Sequence, residues 1–144
     1  MNVRSAGPQD FAPVTALLEA LGRAQVSEET RESCRALYEA QLGDSDSDHL
    51  VAEDDGAVVA FCSLHYRARL NFPTPEAWIP DLYVAEEARG RGIGLALLEE
   101  AERRSRARGC HRLTLESGYQ RDAAHRLYAR FGLDDAGKFF AKRL

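Results

Sequence analysis

The sequence predicts a mixed α/β (α+β) fold, in which a mixed β-sheet is flanked by helices. Asp55-Gly56 stands between two apolar runs, and this is the strongest short-range signal of a β-hairpin. An apolar strand, a glycine-rich turn and an amphipathic helix then follow one another from Trp78 to Gly109, which predicts a βαβ unit. A hairpin ahead of such a unit gives a sheet with both antiparallel and parallel pairs.

The composition indicates one domain over residues 1–144, because 44% of the residues are hydrophobic and suffice for a core. A net charge of −4 argues against nucleic acid as the main partner. The sequence has no apolar run that could span a bilayer and no apolar segment of a signal peptide near residue 1, so no membrane partner is expected. Three widely spaced cysteines suit a reducing cytosol and predict a cytoplasmic location.

The first elements follow from spacing and capping residues. Residues 1–6 predict an edge strand, and apolar residues at helical spacing over 11–21 predict a first helix. A second helix is expected after an N-cap at Ser27, with Thr30 as the competing choice, and both helices end at a glycine.

The middle of the chain predicts the hairpin and the central strand. The hairpin strands are expected at 49–53 and 57–66. The loop over 67–76 contains two prolines, and its length makes it a candidate substrate lid. The central strand is expected over 78–84, which is rich in aromatic, aliphatic and β-branched residues.

The last third continues the alternation of helices and strands. The helix of the βαβ unit is expected over 93–108, and the second strand over 111–116. Residues 117–120 predict a turn, and 122–131 predict a final helix that a glycine ends. Residues 133–144 are strand-like.

The turn Arg89–Gly94 has glycine at every second position, directly before a helix. Glycines let the backbone approach a ligand, and a helix N-terminus presents free N–H groups, so this turn predicts a phosphate or pyrophosphate site. Arg89 and Arg91 supply positive charge. The spacing fits neither a nucleotide P-loop nor the dinucleotide fingerprint. A plain strand-to-helix turn with solvated arginines stays open at this point.

Two motifs resemble the GNAT superfamily of N-acetyltransferases. A strand followed by Arg89-x-x-Gly92-x-Gly94 and a helix resembles its acetyl-coenzyme A (acetyl-CoA) site. The segment Leu127–Leu133 resembles its later motif Leu-Tyr-x-x-x-Gly-Phe, with Leu133 in place of Phe. The order of elements resembles the GNAT fold over essentially the whole chain. The resemblance implies a splayed central sheet, acetyl-CoA as cosubstrate, and direct attack of a primary amine on the thioester.

The resemblance also implies the coenzyme-binding residues. Main-chain groups of the central strand would bind pantetheine, and N–H groups of the turn would bind the pyrophosphate. These residues are Leu82, Tyr83 and Val84 for pantetheine, and Gly90, Arg91, Gly92, Ile93 and Gly94 for the pyrophosphate. Arg121 stands where most superfamily members have Asn, so its contact with the coenzyme is expected to differ.

The resemblance places Tyr128 near the coenzyme sulfur, as the general acid. A phenol suits this role, because its ordinary pKa near 10 keeps it protonated at neutral pH. An ordinary core tyrosine is the alternative. The general base is predicted to be Asp81 or, second, Glu116, two strand-end carboxylates that could instead be solvated or ion-paired. Trp78 stands where several members carry the catalytic glutamate.

A narrower resemblance concerns the substrate side. Arg121-x-x-Ala124-His125-Arg126-x-Tyr128, His65 after Leu64, and a final Phe-x-Lys-x-Leu are similar to aminoalkylphosphonate N-acetyltransferases. This similarity makes His65 and His125 candidate substrate-binding residues, although a hydrogen-bonded strand histidine is the simpler interpretation of His65. Some of these enzymes use a divalent metal. Here no ligand spacing calls for one, and no metal is assigned.

Cations in two places could attract an anionic substrate group. Arg67 and Arg69 lie in the loop after the hairpin, and Arg121 precedes the last helix. Solvated arginines are the alternative for at least one of them.

Three functions are compatible with these residues. The first is N-acetylation of a small-molecule amine, and the second is acetylation of a protein lysine or N-terminal amine. The third is a non-catalytic acyl-CoA-binding module, which would not need Tyr128. The residues give no direct sign of oligomeric state, but superfamily members are often dimers, which leaves a homodimer open.

Overall fold

A computed structural model describes residues 1–117 and 121–144. The helices of these residues are α1 (Phe11–Leu21), α2 (Arg31–Leu42), α3 (Ile93–Ala107) and α4 (Asp122–Phe131). The strands are β1 (Asn2–Ser5), β2 (Leu50–Asp54), β3 (Ala57–Cys62), β4 (His65–Arg67), β5 (Glu76–Ile79), β6 (Leu82–Val84) and β7 (Leu113–Leu115).

The strands form two sheets. One has four antiparallel strands in the order β1-β2-β3-β6. The other has the order β4-β5-β7, in which β4 is antiparallel to β5 and β7 is parallel to it. The predicted mixture of antiparallel and parallel pairs is therefore confirmed.

The hairpin turn is confirmed at Asp55 and Gly56, whose φ angles of 49° and 77° are those of a tight hairpin turn. The single second strand over 57–66 was wrong, because the chain breaks after Cys62 into β3 and β4. At the break, Ser63 donates its N–H to the Asp81 carbonyl, and β4 then pairs with β5.

The central strand over 78–84 also divides, at Pro80 and Asp81, into β5 and β6. Pro80 has no N–H to donate to a sheet. Before the break β5 pairs with β4 and β7, and after it β6 pairs with β3. In the described residues β6 has no pairing with β7, so the two neighbouring strands diverge. The splay that the resemblance implied is therefore present.

Helices cover both faces of the four-stranded sheet. Side chains alternate along a strand, so Leu50 and Ala52 of β2 face one side and Val51 the other. Leu50 and Ala52 pack in a core with α3 and with Tyr128 of α4. Val51 packs with α1 and α2. This arrangement fixes the strand ends of β6 and β7 next to α4.

Three expectations need correction or fall outside the description. The helix α2 begins after Thr30, so Ser27 was wrong as the N-cap; the two side chains instead bond each other in the preceding turn. Residues 133–144 form no strand; residues 134–144 are exposed, and a strand forms only when another edge pairs with it. Residues 118–120 of the expected turn lie outside the described residues. No helix in the described part of the chain is long and apolar enough to cross a membrane.

Candidate active site

The turn Arg89–Gly94 connects β6 to α3, and its first four residues are exposed. Its helix begins with a bond from the Ala96 N–H to the Gly92 carbonyl. The N–H groups of the first helical turn have no carbonyl of their own helix to bond, so they are available to an outside acceptor. A diphosphate fits this exposed end of the helix.

The glycines of this turn serve two different purposes. Gly90 and Gly92 have φ angles of 75° and 80°, a left-handed conformation that side chains other than Gly rarely adopt. Gly94 is required for packing, because a Cβ there would lie 2.9 Å from Leu127 Cδ2 of α4. Gly94 therefore lets α3 approach α4, and the other two let the chain turn back towards the helix.

The two arginines of the turn contact other parts of the chain. Arg91 donates from Nη2 to Asp54 Oδ2 of the hairpin at 2.6 Å. Arg89 donates from Nε to the Val84 carbonyl at 3.1 Å, and its guanidinium lies 5.3 Å from the centre of the Tyr83 ring. Both arginines thus hold the turn against the strands, while the side chain of Arg91 remains 52% exposed.

The edge of β6 that faces away from β3 presents main-chain groups to the gap. Bonds from Ser63 N–H to Asp81 O and from Ala85 N–H to Val59 O fix the antiparallel pattern. Because bonded pairs alternate, the main chain of Tyr83 bonds β3, and that of Leu82 and Val84 points into the gap. Of the three strand residues expected to bind pantetheine, two are thus directed at the gap.

A cleft opens where β6 and β7 diverge, and it brings together four of the predicted site residues. Tyr128, Glu116, Arg121 and Leu82 all line it. The other lining residues are Leu21, Arg23, Ile79, Pro80 and Leu115. A phenol, a carboxylate and a guanidinium therefore share one small cavity next to the open strand edge.

Tyr128 lies on α4 and is 8% exposed. Burial raises the pKa of its phenol above the ordinary value, although the positive charge of Arg121 opposes this effect. The phenol therefore stays protonated at neutral pH and can donate a proton in the cleft.

The two candidate bases differ in their surroundings. Glu116 lines the cleft, and its Oε1 accepts a hydrogen bond of 3.2 Å from Trp78 Nε1. Asp81 Oδ1 instead lies 2.6 Å from Arg23 Nε, with which it forms an ion pair. The same guanidinium also donates from Nη2 to the Pro80 carbonyl. Arg23 was not predicted, since nothing near it in sequence indicates a partner 58 residues away.

The two predicted histidines are both hydrogen-bonded to serines. His65 lies between Ser63, at 3.1 Å from Nε2, and Ser47, at 3.4 Å from Nδ1, and burial lowers its pKa. His125 Nε2 lies 3.1 Å from Ser117 Oγ at the end of β7. His125 thus contacts the residue that follows the cleft residue Glu116 in the chain, and His65 has the hydrogen-bonded strand position that is the simpler interpretation.

Arg67 and Arg69 converge on one buried carboxylate. Arg67 Nε lies 2.9 Å from Glu76 Oε2, and Arg69 Nη1 lies 3.7 Å from the same atom. Arg112 donates to the other oxygen of Glu76. In the sequence, the sign of this cluster is that Glu76 stands directly before the apolar residues 77–79. The arginines that pair with Glu76 could not be read from the sequence, because the pairing of β5 with β4 and β7 brings them together. Among the described residues, no group of three potential ligands converges on a metal position.

The fold is shared with solved acetyltransferases. A putative acetyltransferase from Agrobacterium tumefaciens superposes with a TM-score of 0.86 over 100% of both chains at 24% identity. The aminoglycoside N-acetyltransferase AAC(6')-Iy in complex with CoA superposes with a TM-score of 0.79 over 99% of this chain and 100% of that chain, at 16% identity. The chain therefore has the fold of these solved structures.

The sequence gives the family itself. The model of the acetyltransferase (GNAT) family matches residues 14–133, and the chain belongs to that family. It is 31% identical over 143 residues to the aminoalkylphosphonate N-acetyltransferase of Salmonella typhimurium, covering 99% of this chain and 91% of that protein. The chain is an acetyl-CoA-dependent N-acetyltransferase, so acetyl transfer to an amine is its reaction.

Proposed function

We propose that the chain acetylates the primary amine of a small molecule by direct attack on acetyl-CoA within a ternary complex. The observation that carries this proposal is the shared cleft of Tyr128 and Glu116, next to the open edge of β6. The loop over 67–76 begins with Arg67, which lies 4.6 Å from the centre of the Trp78 ring, and in this proposal the loop narrows the acceptor side of the site and favours a compact acceptor over a protein segment. The aminoalkylphosphonates named for the Salmonella relative are specific candidates for the acceptor.

In this proposal the turn holds the coenzyme diphosphate through N–H groups of Gly90, Arg91, Gly92, Ile93 and Gly94. Leu82 and Val84 offer main-chain groups to the pantetheine arm, which adds to the sheet as a strand would. The Val84 carbonyl is already bonded by Arg89, so pantetheine would displace that side chain or use the other groups. Arg121 contributes positive charge at the mouth of the cleft.

Glu116 is the proposed general base. It lines the cleft, and among the residues that the structure describes its Oε1 accepts from the neutral Trp78 indole, whereas Asp81 forms an ion pair with Arg23. Glu116 takes a proton from the ammonium, directly or through water, and the neutral amine attacks the thioester carbonyl. Asp81 then has a structural role, as the partner of Arg23 at the base of the cleft. The proposal therefore prefers Glu116 to Asp81 as the base, whereas the sequence favoured Asp81.

Tyr128 is the proposed general acid. As the new C–N bond forms and the C–S bond breaks, the thiolate leaves with the bonding electron pair, and the phenol donates its proton to the sulfur. The attacking nitrogen loses its second proton to solvent as the amide forms, and Glu116 releases the proton that it took. The phenolate that remains is reprotonated from solvent. His125 is proposed to orient Ser117 beside this position.

Thiol release from acetyl-CoA with small amines and with lysine peptides tests the function. We expect turnover with at least one small amine and none with peptides. In Glu116→Gln, kcat/KM at pH 7 should fall about 10²-fold, because general-base catalysis is lost. The defect should shrink as the pH approaches the pKa of the amine, since the amine then deprotonates without help.

The matched control is Glu99→Gln, which removes an exposed carboxylate of α3. Equal activity of the two glutamine variants would contradict the role of Glu116. Turnover confined to peptides would favour a protein acceptor, and tight acetyl-CoA binding without any turnover would favour a binding module.

A homodimer is also proposed, on the exposed apolar residues after α4. Phe139, Phe140 and Leu144 are 64%, 84% and 111% exposed, more than a stable monomer usually presents together. Sedimentation velocity should give twice the chain mass of 16.0 kDa, and the double variant Phe139→Asp, Phe140→Asp should give the monomer. A single species of chain mass for the unaltered chain would contradict this proposal.

A cytoplasmic location stays a proposal too, supported by three free cysteines.

A further inference from the structure

One face of the sheet β4-β5-β7 carries polar side chains. Ala77 and Ile79 of β5 are 0% and 1% exposed and pack in the core with α3. Because side chains alternate along a strand, Glu76 and Trp78 point to the opposite face. Arg67 of β4 stands across from Glu76 in register and shares that face.

Glu76 gathers three arginines on this face. Its side chain is 0% exposed, and Arg67, Arg69 and Arg112 all lie against its two oxygens. Burial alone would raise the pKa of Glu76, but hydrogen bonds from Arg112 and Arg67 outweigh it and hold the pKa below its usual value. Glu76 is therefore ionised at neutral pH. One carboxylate against three guanidinium groups leaves an excess of two positive charges.

The arginines reach Glu76 mainly with one edge, which leaves their outer nitrogens for a ligand. Arg67 and Arg112 both donate to Glu76 from Nε. Their side chains are 40% and 54% exposed, and that of Arg69 is 50% exposed. In the part of the chain that the structure describes, the terminal nitrogens of Arg67 and Arg112 make no hydrogen bond. Such nitrogens match the oxygens of a carboxylate, phosphate or phosphonate.

A single tryptophan connects this cluster to the proposed base. The guanidinium of Arg67 lies 4.6 Å from the centre of the Trp78 ring. The same indole donates from Nε1 to Glu116 Oε1 at 3.2 Å. The arginine cluster and the Glu116 carboxylate are therefore separated by about the width of one indole, and the Trp78 ring provides the apolar surface between them.

We propose that Arg67, Arg69 and Arg112, held by Glu76, bind an acidic group of the acceptor. The inference rests on the proposed function and adds the residues that hold the far end of the acceptor, a short primary amine with an oxyanion at that end. The ammonium lies towards Glu116, the carbon chain crosses Trp78, and the oxyanion meets the arginines. Arg112 is the residue that no sequence motif indicated.

The test compares kcat/KM for 2-aminoethylphosphonate, β-alanine and propylamine, which present a phosphonate, a carboxylate and no charge at the far end. The wild-type chain should prefer one or both anionic amines over propylamine by at least about 10-fold. In Arg67→Gln and Arg112→Gln this preference should fall about 10-fold or more. Because the preference is a ratio within one variant, a general loss of activity does not affect it.

Arg106→Gln is the control, since Arg106 pairs with Glu102 on the exposed side of α3 and should leave the ratio unchanged. If the cluster variants fold poorly, inorganic phosphate provides a second measurement on the wild-type chain. It should inhibit competitively with the amine, and the inhibition should weaken as ionic strength rises.

Three results would overturn the inference. A wild-type chain that acetylates propylamine as well as the anionic amines refutes this acceptor class, but it leaves the proposed function standing. An unchanged ratio in both cluster variants shows that the arginines only neutralise Glu76. A chain that acetylates no small amine refutes the proposed function and this inference together.

Discussion

Tyr128→Phe is expected to lower kcat about 10²- to 10³-fold at saturating acetyl-CoA and amine. The substitution removes only the hydroxyl, so the ring continues to pack in the core that Tyr128 shares with α3. Without the phenol, the thiolate must leave unprotonated or take a proton from water. The measurement is the initial rate of thiol release between pH 6 and pH 10.

The pH dependence gives a second part of this prediction. Burial raises the pKa of the Tyr128 phenol, so the acid of the wild-type chain stays protonated up to pH values above its ordinary pKa. Activity that depends on it should therefore persist through pH 9 and fall only above the raised pKa. The pH profile of the Tyr128→Phe variant should show no such fall at high pH.

Tyr38→Phe is the matched control for this experiment. Tyr38 is also buried, and its hydroxyl donates to the Gly7 carbonyl at 2.7 Å, in the core on the other side of the sheet. Its loss should lower the free energy of unfolding by about 1 kcal/mol and leave kcat within a factor of about two. Full turnover in Tyr128→Phe across the pH range would show that Tyr128 is not the acid.

Gly92→Asp is expected to weaken acetyl-CoA binding about 10³-fold, as measured by isothermal titration calorimetry. A carboxylate at about 4 Å from a phosphate charge costs about 4 kcal/mol at the effective dielectric of a protein surface. The variant should still fold, because a Cβ at Gly92 meets nothing within 4 Å. Aspartate also tolerates a positive φ better than most residues.

Gly109→Asp is a close control for this variant. Gly109 has a φ of 74°, is exposed after α3, and likewise offers open space to a Cβ. The backbone strain and the added charge are thus the same, at the opposite end of the helix. If the two variants bind acetyl-CoA with equal affinity, the turn Arg89–Gly94 does not hold the diphosphate.

The sequence predicted the elements whose signals are local. Asp55-Gly56 marked the hairpin, the helix α4 was expected over the same residues that form it, and α3 ends within one residue of its predicted end. The turn before α3 was found for the same reason, because its glycines and its helix are neighbours in the chain. Tyr128 was identified as a candidate site residue from a motif of seven consecutive residues, Leu127–Leu133.

The features that sequence reasoning missed depend on distant partners. The break at Pro80 follows from a change of partner, since β5 pairs with β7 and β6 with β3. The proposed preference for Glu116 over Asp81 rests on Arg23, which follows α1 and forms an ion pair with Asp81. Sequence alone gives the residue types of such a site, and only the pairing of strands gives their neighbours.

The most direct test is a crystal structure of the chain with CoA. The account predicts the diphosphate on the N–H groups of residues 90–94, pantetheine alongside Leu82 and Val84, and the sulfur within hydrogen-bond reach of the Tyr128 hydroxyl. A coenzyme bound on another surface, or a sulfur on the side of the sheet away from Tyr128, would contradict it.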